Sequence, residues 1–348
     1  MKKNKYSLIF LSLFFILIFF INGLADAQSS APDWTRDPYR RFERQTYIAA
    51  AGMGNSRQAA ERDALAKLVA IFGQSIQVDE RISTSYQEAV NSGSVAVWSE
   101  NTAVENTITT STGMDSLVGA EIGDRWDNGR DFYAIAILNK LNAISSYSQM
   151  IRANTVVINN LVNIPAAEKN TLESYARFQF AAIIADITIS YANVLNFIGM
   201  PDRAHGLRTG NDFRLEAQEI ARSIPVSIRV RNDKAQRIEN VFARSFTEIG
   251  FRSGGSNSRY VLDVNIIITP LEFPRNPNKF VRMELTANLT DTNQGVVLLP
   301  YSYINNREGH ATLEEAENRI FSAAEQKIRS EYTGILNEYL SSLIPQRR

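Results

Sequence analysis

"AAGMGNSRQAAERDAL", residues 50–65, joins an apolar run to a helical pattern through Gly52-Met53-Gly54. Tyr47 to Gly52 reads as a strand. Asn55 or Ser56 can cap the helix that follows, with Gln58 three residues after Asn55 as in a capping box. Ala60, Ala64, Leu68 and Ile71 recur at helical spacing, with Leu65 and Phe72 beside them, while Arg57, Glu61, Arg62 and Lys67 lie mostly elsewhere. That is one apolar stripe facing a core. Gly73 stands where a left-handed residue often ends a helix. Strand, glycine turn and helix are also how many proteins hold a phosphate. The nucleotide fingerprints fail here, because the third glycine position is Arg57 and no Gly-Lys-Ser/Thr follows. Gly52 and Gly54 are therefore expected to permit a sharp strand-to-helix turn at positive φ.

Beyond Gly73 the pattern changes. Gln74 to Tyr86 alternates, with Ile76, Val78, Ile82 and Thr84 against Gln77, Asp79, Arg81 and Ser83, and reads as a half-solvated strand. Gln87 to Ser94 reads as a loop. Val95 to Thr112 is rich in Thr, Ser and Val and reads as an extended polar strand. Leu117 to Trp126 and Asp131 to Leu138 are strands joined by the turn signal Asp127-Asn128-Gly129, which makes a hairpin.

From Asn139 to Ala221 the apolar residues recur at three and four. Leu141, Ile144, Ser148, Ile151, Thr155, Ile158 and Val162 form one stripe. Pro165 can open the next helix. Its stripe runs through Leu172, Tyr175, Phe178, Ala182, Ile183, Ile187, Tyr191, Val194, Leu195 and Ile198, and Gly199-Met200-Pro201 ends it. Phe213 to Arg222 reads as a short third helix. A hairpin of two long helices is expected. Tyr191 on the second long helix belongs either to the core or to a partner interface.

Mixed structure then resumes. Val226 to Val230 is a strand, Asp233 to Ile249 a helix and Tyr260 to Thr269 a strand. "PLEFPRNPN" is a proline-rich loop. Phe280 to Thr290 and Val296 to Asn305 are strands joined by "DTNQG", a hairpin signal. Thr312 can cap a final helix with Glu315 three residues later. Helices on one face of a mainly antiparallel sheet are expected.

The ends and the composition bound the function. Met1-Lys2-Lys3-Asn4-Lys5, the apolar run Tyr6 to Ile21 and Ala25-Asp26-Ala27 before Gln28 make a secretory signal peptide. That run is short for a bilayer span, and no other stretch is expected to cross one. The polar lead-in from Gln28 to Phe42 contains Trp34, expected to pack locally. The 348 residues carry 37 basic and 37 acidic side chains, so bulk charge draws neither nucleic acid nor anionic lipid. The chain has no cysteine, which excludes disulfides, thiol nucleophiles and lipid attachment through Cys. Its two histidines, His205 and His310, are too few for a multi-His metal site.

"GMGNSRQAAERDALAKLVAIFGQSIQVD" followed by "EIGDRWDNGRDFYAIAILNK" resembles the LPP20 family of bacterial envelope lipoproteins. The matching positions are Gly52, Gly54, Ala60, Ala64, Leu68, Gly73, Trp126, Tyr133, Ala134, Ala136 and Lys140, within residues 46–145. These are fold residues and not reactive groups. The chain departs from the lipoproteins in having no cysteine to acylate. The resemblance implies an envelope protein, and related modules occur in flagellum-associated and outer-membrane-associated proteins.

The expected fold class is α+β: two small α+β domains, antiparallel sheets packed with helices, separated by a long helical hairpin. The expected divisions are a signal peptide over 1–27, a polar arm over 28–45, an LPP20-like α+β domain over 46–140, a helical hairpin region over 141–222 and a C-terminal β-α-β-β-β-α domain over 223–348.

Candidate chemistry is sparse. Glu314-Glu315 with Glu317 reads as the first turn of a helix, where negative charge is favourable. Asp124, Asp127 and Asp131 read as a solvated hairpin. There is no Gly-x-Ser-x-Gly elbow, and Ser253-Gly254-Gly255-Ser256 reads as a flexible turn. No catalytic, cofactor-binding or metal-binding residue set is expected, and no cofactor. The expected function is that of an exported, non-enzymatic cell-envelope accessory or scaffold protein, periplasmic or outer-membrane-associated and not lipidated. Its expected partners are envelope proteins or the cell wall, with no nucleic acid and no nucleotide, and a homo-oligomer is open. The alternative is a periplasmic hydrolase using carboxylates.

Overall fold

A computed structural model of the chain describes residues 30–73, 80–91, 95, 117–255 and 257–344. The expected signal peptide, the Val95 to Thr112 strand beyond Val95, and Ser256 lie outside these residues. The protein is α+β, and the chain divides into two compact units, Met1–Gly73 with Asp115–Ala143, and Gln74–Met114 with Ile144–Arg348.

In the first unit, strands β1 (Tyr47–Gly54), β2 (Ala120–Asp127) and β3 (Phe132–Asn139) form an antiparallel sheet in the order β1-β3-β2. Helix α1 (Arg57–Phe72) packs on it. One face of β1 and β3 carries Ala50, Gly52, Ala134 and Ala136, with Gly52 paired to Ala134 and Ala50 to Ala136. The small side chains let α1 lie against the strands almost backbone to backbone. A Cβ placed on Gly52 would stand 2.2 Å from the Ala64 amide nitrogen and 2.5 Å from the Ala60 carbonyl oxygen. One on Gly54 would stand 2.6 Å from the Ala59 Cβ. Neither glycine has positive φ; both lie in extended strand. They are needed for close approach and not, as expected, for left-handed backbone. Ser56 caps α1, its hydroxyl accepting from the Ala59 N–H at 3.2 Å.

The buried seam of α1 is Ala60, Ala64, Leu68 and Phe72. Ile71, expected in that seam, is 39% exposed. The sheet contacts the inclined i+4 ridge, which ends on Phe72 and leaves Ile71 beside it. The other sheet face is covered by the arm. Two 3-10 turns (Asp33–Thr35 and Pro38–Arg40) lay Trp34, 3% exposed, against Ala49, Ile135 and Ile137. Covering on both faces explains why Ala134 to Leu138 are all buried. A bulge at Gly123 makes room for the Phe42 ring, whose Cζ would lie 2.7 Å from a Cβ there.

Among the described residues the second unit begins with a helix. Where a strand and loop were expected, Glu80–Asn91 is helix α2. Its apparent alternation conceals an i, i+4 series, Ile82, Tyr86 and Val90, of which Tyr86 and Val90 are buried. Helices α3 (Lys140–Val162) and α4 (Leu172–Phe197) run antiparallel. Tyr147 packs on Tyr191 with ring centroids 5.6 Å apart, Asn154 bonds Thr188 at 3.1 Å, and Arg177 Nε donates to the Leu161 carbonyl at 2.8 Å. Arg177 also donates to the carbonyls of Asn160 and Asn163, placing a cation on the C-terminal end of α3.

The expected stripe of α3 is displaced. Leu141 is 71% exposed, and the seam buried in this unit is Tyr147, Met150, Ala153, Asn154, Val157 and Leu161 with Ile158. It is set by a polar chain. The Tyr86 hydroxyl donates to Asn154 Oδ1 at 3.1 Å, Asn154 Nδ2 donates to Thr188 Oγ1, and Thr188 donates to the Ile184 carbonyl at 2.6 Å. Burial pushes the Tyr86 hydroxyl up to about 12.

Pro165 precedes a 3-10 turn (Ala166–Glu168) instead of opening the long helix, which Thr171 caps through the Ser174 N–H at 3.1 Å. By length and apolarity α4 would suffice to cross a bilayer, contrary to expectation, but 67% of its most apolar stretch is buried in the unit. Such burial is that of a core helix. Helix α5 (Gly210–Ser223) docks on it where the Gly210 N–H donates to Asp186 Oδ1 at 3.1 Å and Arg214 pairs with Asp186. Thr209 and Asp212 form its capping box.

A five-stranded sheet follows, in the order β5-β4-β6-β7-β8, built from β4 (Pro225–Arg231), β5 (Arg252–Ser253), β6 (Tyr260–Leu271), β7 (Lys279–Asp291) and β8 (Val296–His310). It is mixed. Helix α6 (Arg237–Ile249) makes the crossover that sets β4 parallel to β6, and β6, β7 and β8 are antiparallel. Helix α6 starts later than expected because Ala235 and Gln236 adopt positive φ, and Asp233 caps it by accepting from the Ile238 and Glu239 N–H groups. Helix α7 (Leu313–Ser342), capped by Thr312, lies with α6 on the sheet. Their shared core is aromatic: Phe242 and Tyr332 meet edge to face at 4.7 Å. Arg237 joins the helices through Glu325, Nε to Oε1 at 2.6 Å and the second nitrogen to Oε2 at 3.0 Å. Strand β8 is the sheet's edge and contains Pro300, opposite Asn288.

Three outcomes follow from these contacts. Gly52→Ala should cost about 2–4 kcal/mol of stability, since backbone must move. Gly129→Ala, at φ 83° with nothing within 4 Å, should cost only about 1 kcal/mol. Urea titration of both variants measures the contrast, and equal losses would contradict the close-approach account. Tyr191, 6% exposed, packed on Tyr147 and bonded to Tyr86, is core. Tyr191→Phe should lose about 1–2 kcal/mol. Tyr191→Glu should unfold the second unit, seen as loss of its cooperative circular-dichroism transition. Burial works to raise the Asp291 carboxyl, but the Arg259 hydrogen bonds and the Asn293 and Gln294 N–H groups hold it below its ordinary value of 3.8. A lowered carboxyl contributes stability above its unfolded value and loses it as pH falls through the folded one. Acid titration below about pH 4 should therefore destabilise the wild type more steeply than Asp291→Asn.

Candidate functional site

A cleft of about 540 Å³ lies within the second unit, among α2, α4, α5 and the C-terminal end of α7. That is the size of a small-molecule site. Its apolar floor is Ala176, Phe180 and Ile183 from α4 with Leu340 and Ile344 from the other end of the chain. Its polar rim is Ser85 and Glu88 of α2, Gln179 of α4, and Asn337 and Ser341 of α7. Tyr175 bridges the two, its ring on the cleft and its hydroxyl accepting from Gln179 Nε2 at 3.1 Å. Burial raises the Tyr175 hydroxyl above the ordinary tyrosine range, against the Gln179 bond. Of the charged side chains lining the cleft, Arg214 is held by Asp186. Glu88 carries the other charge.

A second pocket, about 280 Å³, sits at the start of α4. Arg259 and Asp291 form a bidentate pair on its wall at 2.7–3.0 Å, and Tyr260 accepts the Leu172 N–H at 3.3 Å. These contacts tie β6 to the β7–β8 turn and to α4. Arg259 and Asp291 satisfy one another and Arg177 is held by backbone carbonyls, so the pocket reads as a structural joint.

The residues singled out in the sequence do not converge. Asp124 pairs with Arg41 at 3.1 Å, Asp127 accepts the Gly129 N–H and Asp131 closes the hairpin turn on Asn128. Glu315 donates its N–H to the Thr312 cap and Glu317 pairs with Lys234. His205 is exposed in a turn, and His310 ends β8 opposite Lys279 with a buried, unpartnered Nδ1. Ser253, expected in a flexible turn, lies in β5 beside Val226. The described residues contain no group of three or more His, Cys, Asp or Glu side chains placed to hold a metal. The cleft residues had no sequence signature, because four helices far apart in the chain supply them.

Comparison with known proteins gives a partial answer. No protein of curated function matches the chain. Among solved structures, the secreted protein HP1454 from Helicobacter pylori aligns with a TM-score of 0.41 and 12% identity, over 81% of this chain and 97% of that one. A minor lipoprotein from Acinetobacter baumannii aligns with a TM-score of 0.24 and 17% identity, over 36% of this chain and 96% of that one. The family resemblance is shown for the N-terminal part: residues 32–139, from the Trp34 arm through β3, match the LPP20 lipoprotein family.

Proposed function

We propose that the protein is an exported, non-enzymatic accessory or scaffold protein of the bacterial cell envelope. It acts through contacts with envelope proteins or the cell wall, in envelope or flagellar assembly, from a periplasmic or outer-membrane-associated position. The observation that carries this reading is the LPP20 match over residues 32–139. The character of the matching positions supports it. Gly52, Gly54, Ala60, Ala64, Ala134 and Ala136 bring a helix onto a sheet and carry no reactive group. The signal-like start of the chain supports export. A carboxylate-dependent hydrolase is disfavoured, because Asp124 and Glu317 are ion-paired, Asp127 accepts a turn N–H, and Glu314 and Glu315 stand in the first turn of a helix.

The test is in-cell crosslinking followed by fractionation. The protein is expected in the envelope fraction, crosslinked to a reproducible set of outer-membrane, wall-synthesis or flagellar proteins. Recovery as a partner-free monomer would overturn the scaffold role, and retention in the cytoplasm would overturn export.

A further inference from the structure

We propose that the cleft among α2, α4, α5 and the end of α7 binds a small amphipathic cation, an apolar chain carrying one amine. The inference goes beyond the envelope reading, since a ligand in this cleft is independent of what the protein contacts at its surface.

The cleft has the volume of a ligand site and a floor fit for hydrocarbon, with Phe180 and Leu340 buried and Ile183 and Ile344 partly so. The polar groups stand at the rim, so an occupant must be apolar along its body and polar at one end. Electrostatics select the sign of that end. Arg214 is neutralised by Asp186, which leaves Glu88 as the net charge among the described residues of the lining. The end of α7 adds to it. Leu340 and Ser341 belong to its last turn and Ile344 follows directly after it, where the negative end of the helix dipole lies. The Tyr175 and Phe180 rings offer a further attraction to a cation over an aromatic face. An anionic head would meet Glu88 and the helix end together. A neutral head would leave Glu88 without the counter-charge the lining otherwise lacks.

The experiment uses the mature protein and three soluble probes of equal chain length, octylammonium, octanol and octanoate, kept below their micelle concentrations. Calorimetry gives affinities, and methyl shifts of Ile183 and Leu340 locate the binding. Octylammonium should bind about fivefold more tightly than octanoate, the size of one half-screened charge pair. The preference should shrink in high salt and fall below about twofold in Glu88→Gln, with octanol affinity unchanged. Ser341→Trp should fill the cleft and abolish binding of all three probes. Asn337→Trp, also on the exposed side of α7, replaces it if that variant melts early. Absence of binding overturns the proposal, as does equal affinity for the two charged probes. Binding that survives both filling variants, or a preference untouched by Glu88→Gln, overturns it as well.

Discussion

The first unit depends on one distance. Strand β1 and helix α1 approach so closely that even a methyl group at Gly52 would overlap backbone atoms of Ala60 and Ala64. Helix-on-sheet packing ordinarily separates backbones by interleaved side chains. Here alanines and glycine remove that layer, and contact is made between main chains. The apolar area buried per residue is small, so large residues on the opposite face must supply the remainder. Trp34, Ile135 and Ile137 with Phe42, Tyr47 and Trp126 do so. The arm is thus required by the thinness of the helix layer, and the family match that starts at residue 32 includes it.

The second unit solves a different problem. Helix α4 is apolar nearly all round, which alone would let its neighbours choose among several rotations. Polar clasps remove the choice. The Tyr86–Asn154–Thr188 chain fixes α2 and α3 against its middle, Arg177 ties its first turns to the end of α3, and Asp186 receives both the start of α5 and Arg214. Each polar group of these clasps has a partner, and a slip of one helical turn would strand several of them at once. The sheet beyond is joined in the same manner, through Arg237–Glu325 and Arg259–Asp291.

Much of this was legible in the sequence where period and punctuation agree. Both hairpins, the capped final helix and the two long helices follow from alternation, turn residues and helical spacing. What was not legible shares a cause: the deciding partner lies elsewhere in the chain. The alternation of residues 80–86 fits strand and helix equally until Asn154 is placed beside Tyr86. The seam of α3 includes Tyr147, Ala153 and Asn154, which an apolar count passes over. Gly52 has two physical uses, free φ and absent Cβ, and sequence cannot separate them. The cleft was invisible because Glu88, Phe180, Arg214 and Leu340 come together only in the fold.

Among the described residues strand β8 ends the sheet with an open flank, and from Val296 to Asn306 it bears no charge. Such a flank is a template on which copies of a protein stack into insoluble ribbons. Pro300 interrupts it with a nitrogen that has no hydrogen to offer, and Arg307 closes it with a charge. An envelope protein, crowded by its neighbours and beyond the chaperones of the cytoplasm, would be kept from such stacking in part by that one missing rung.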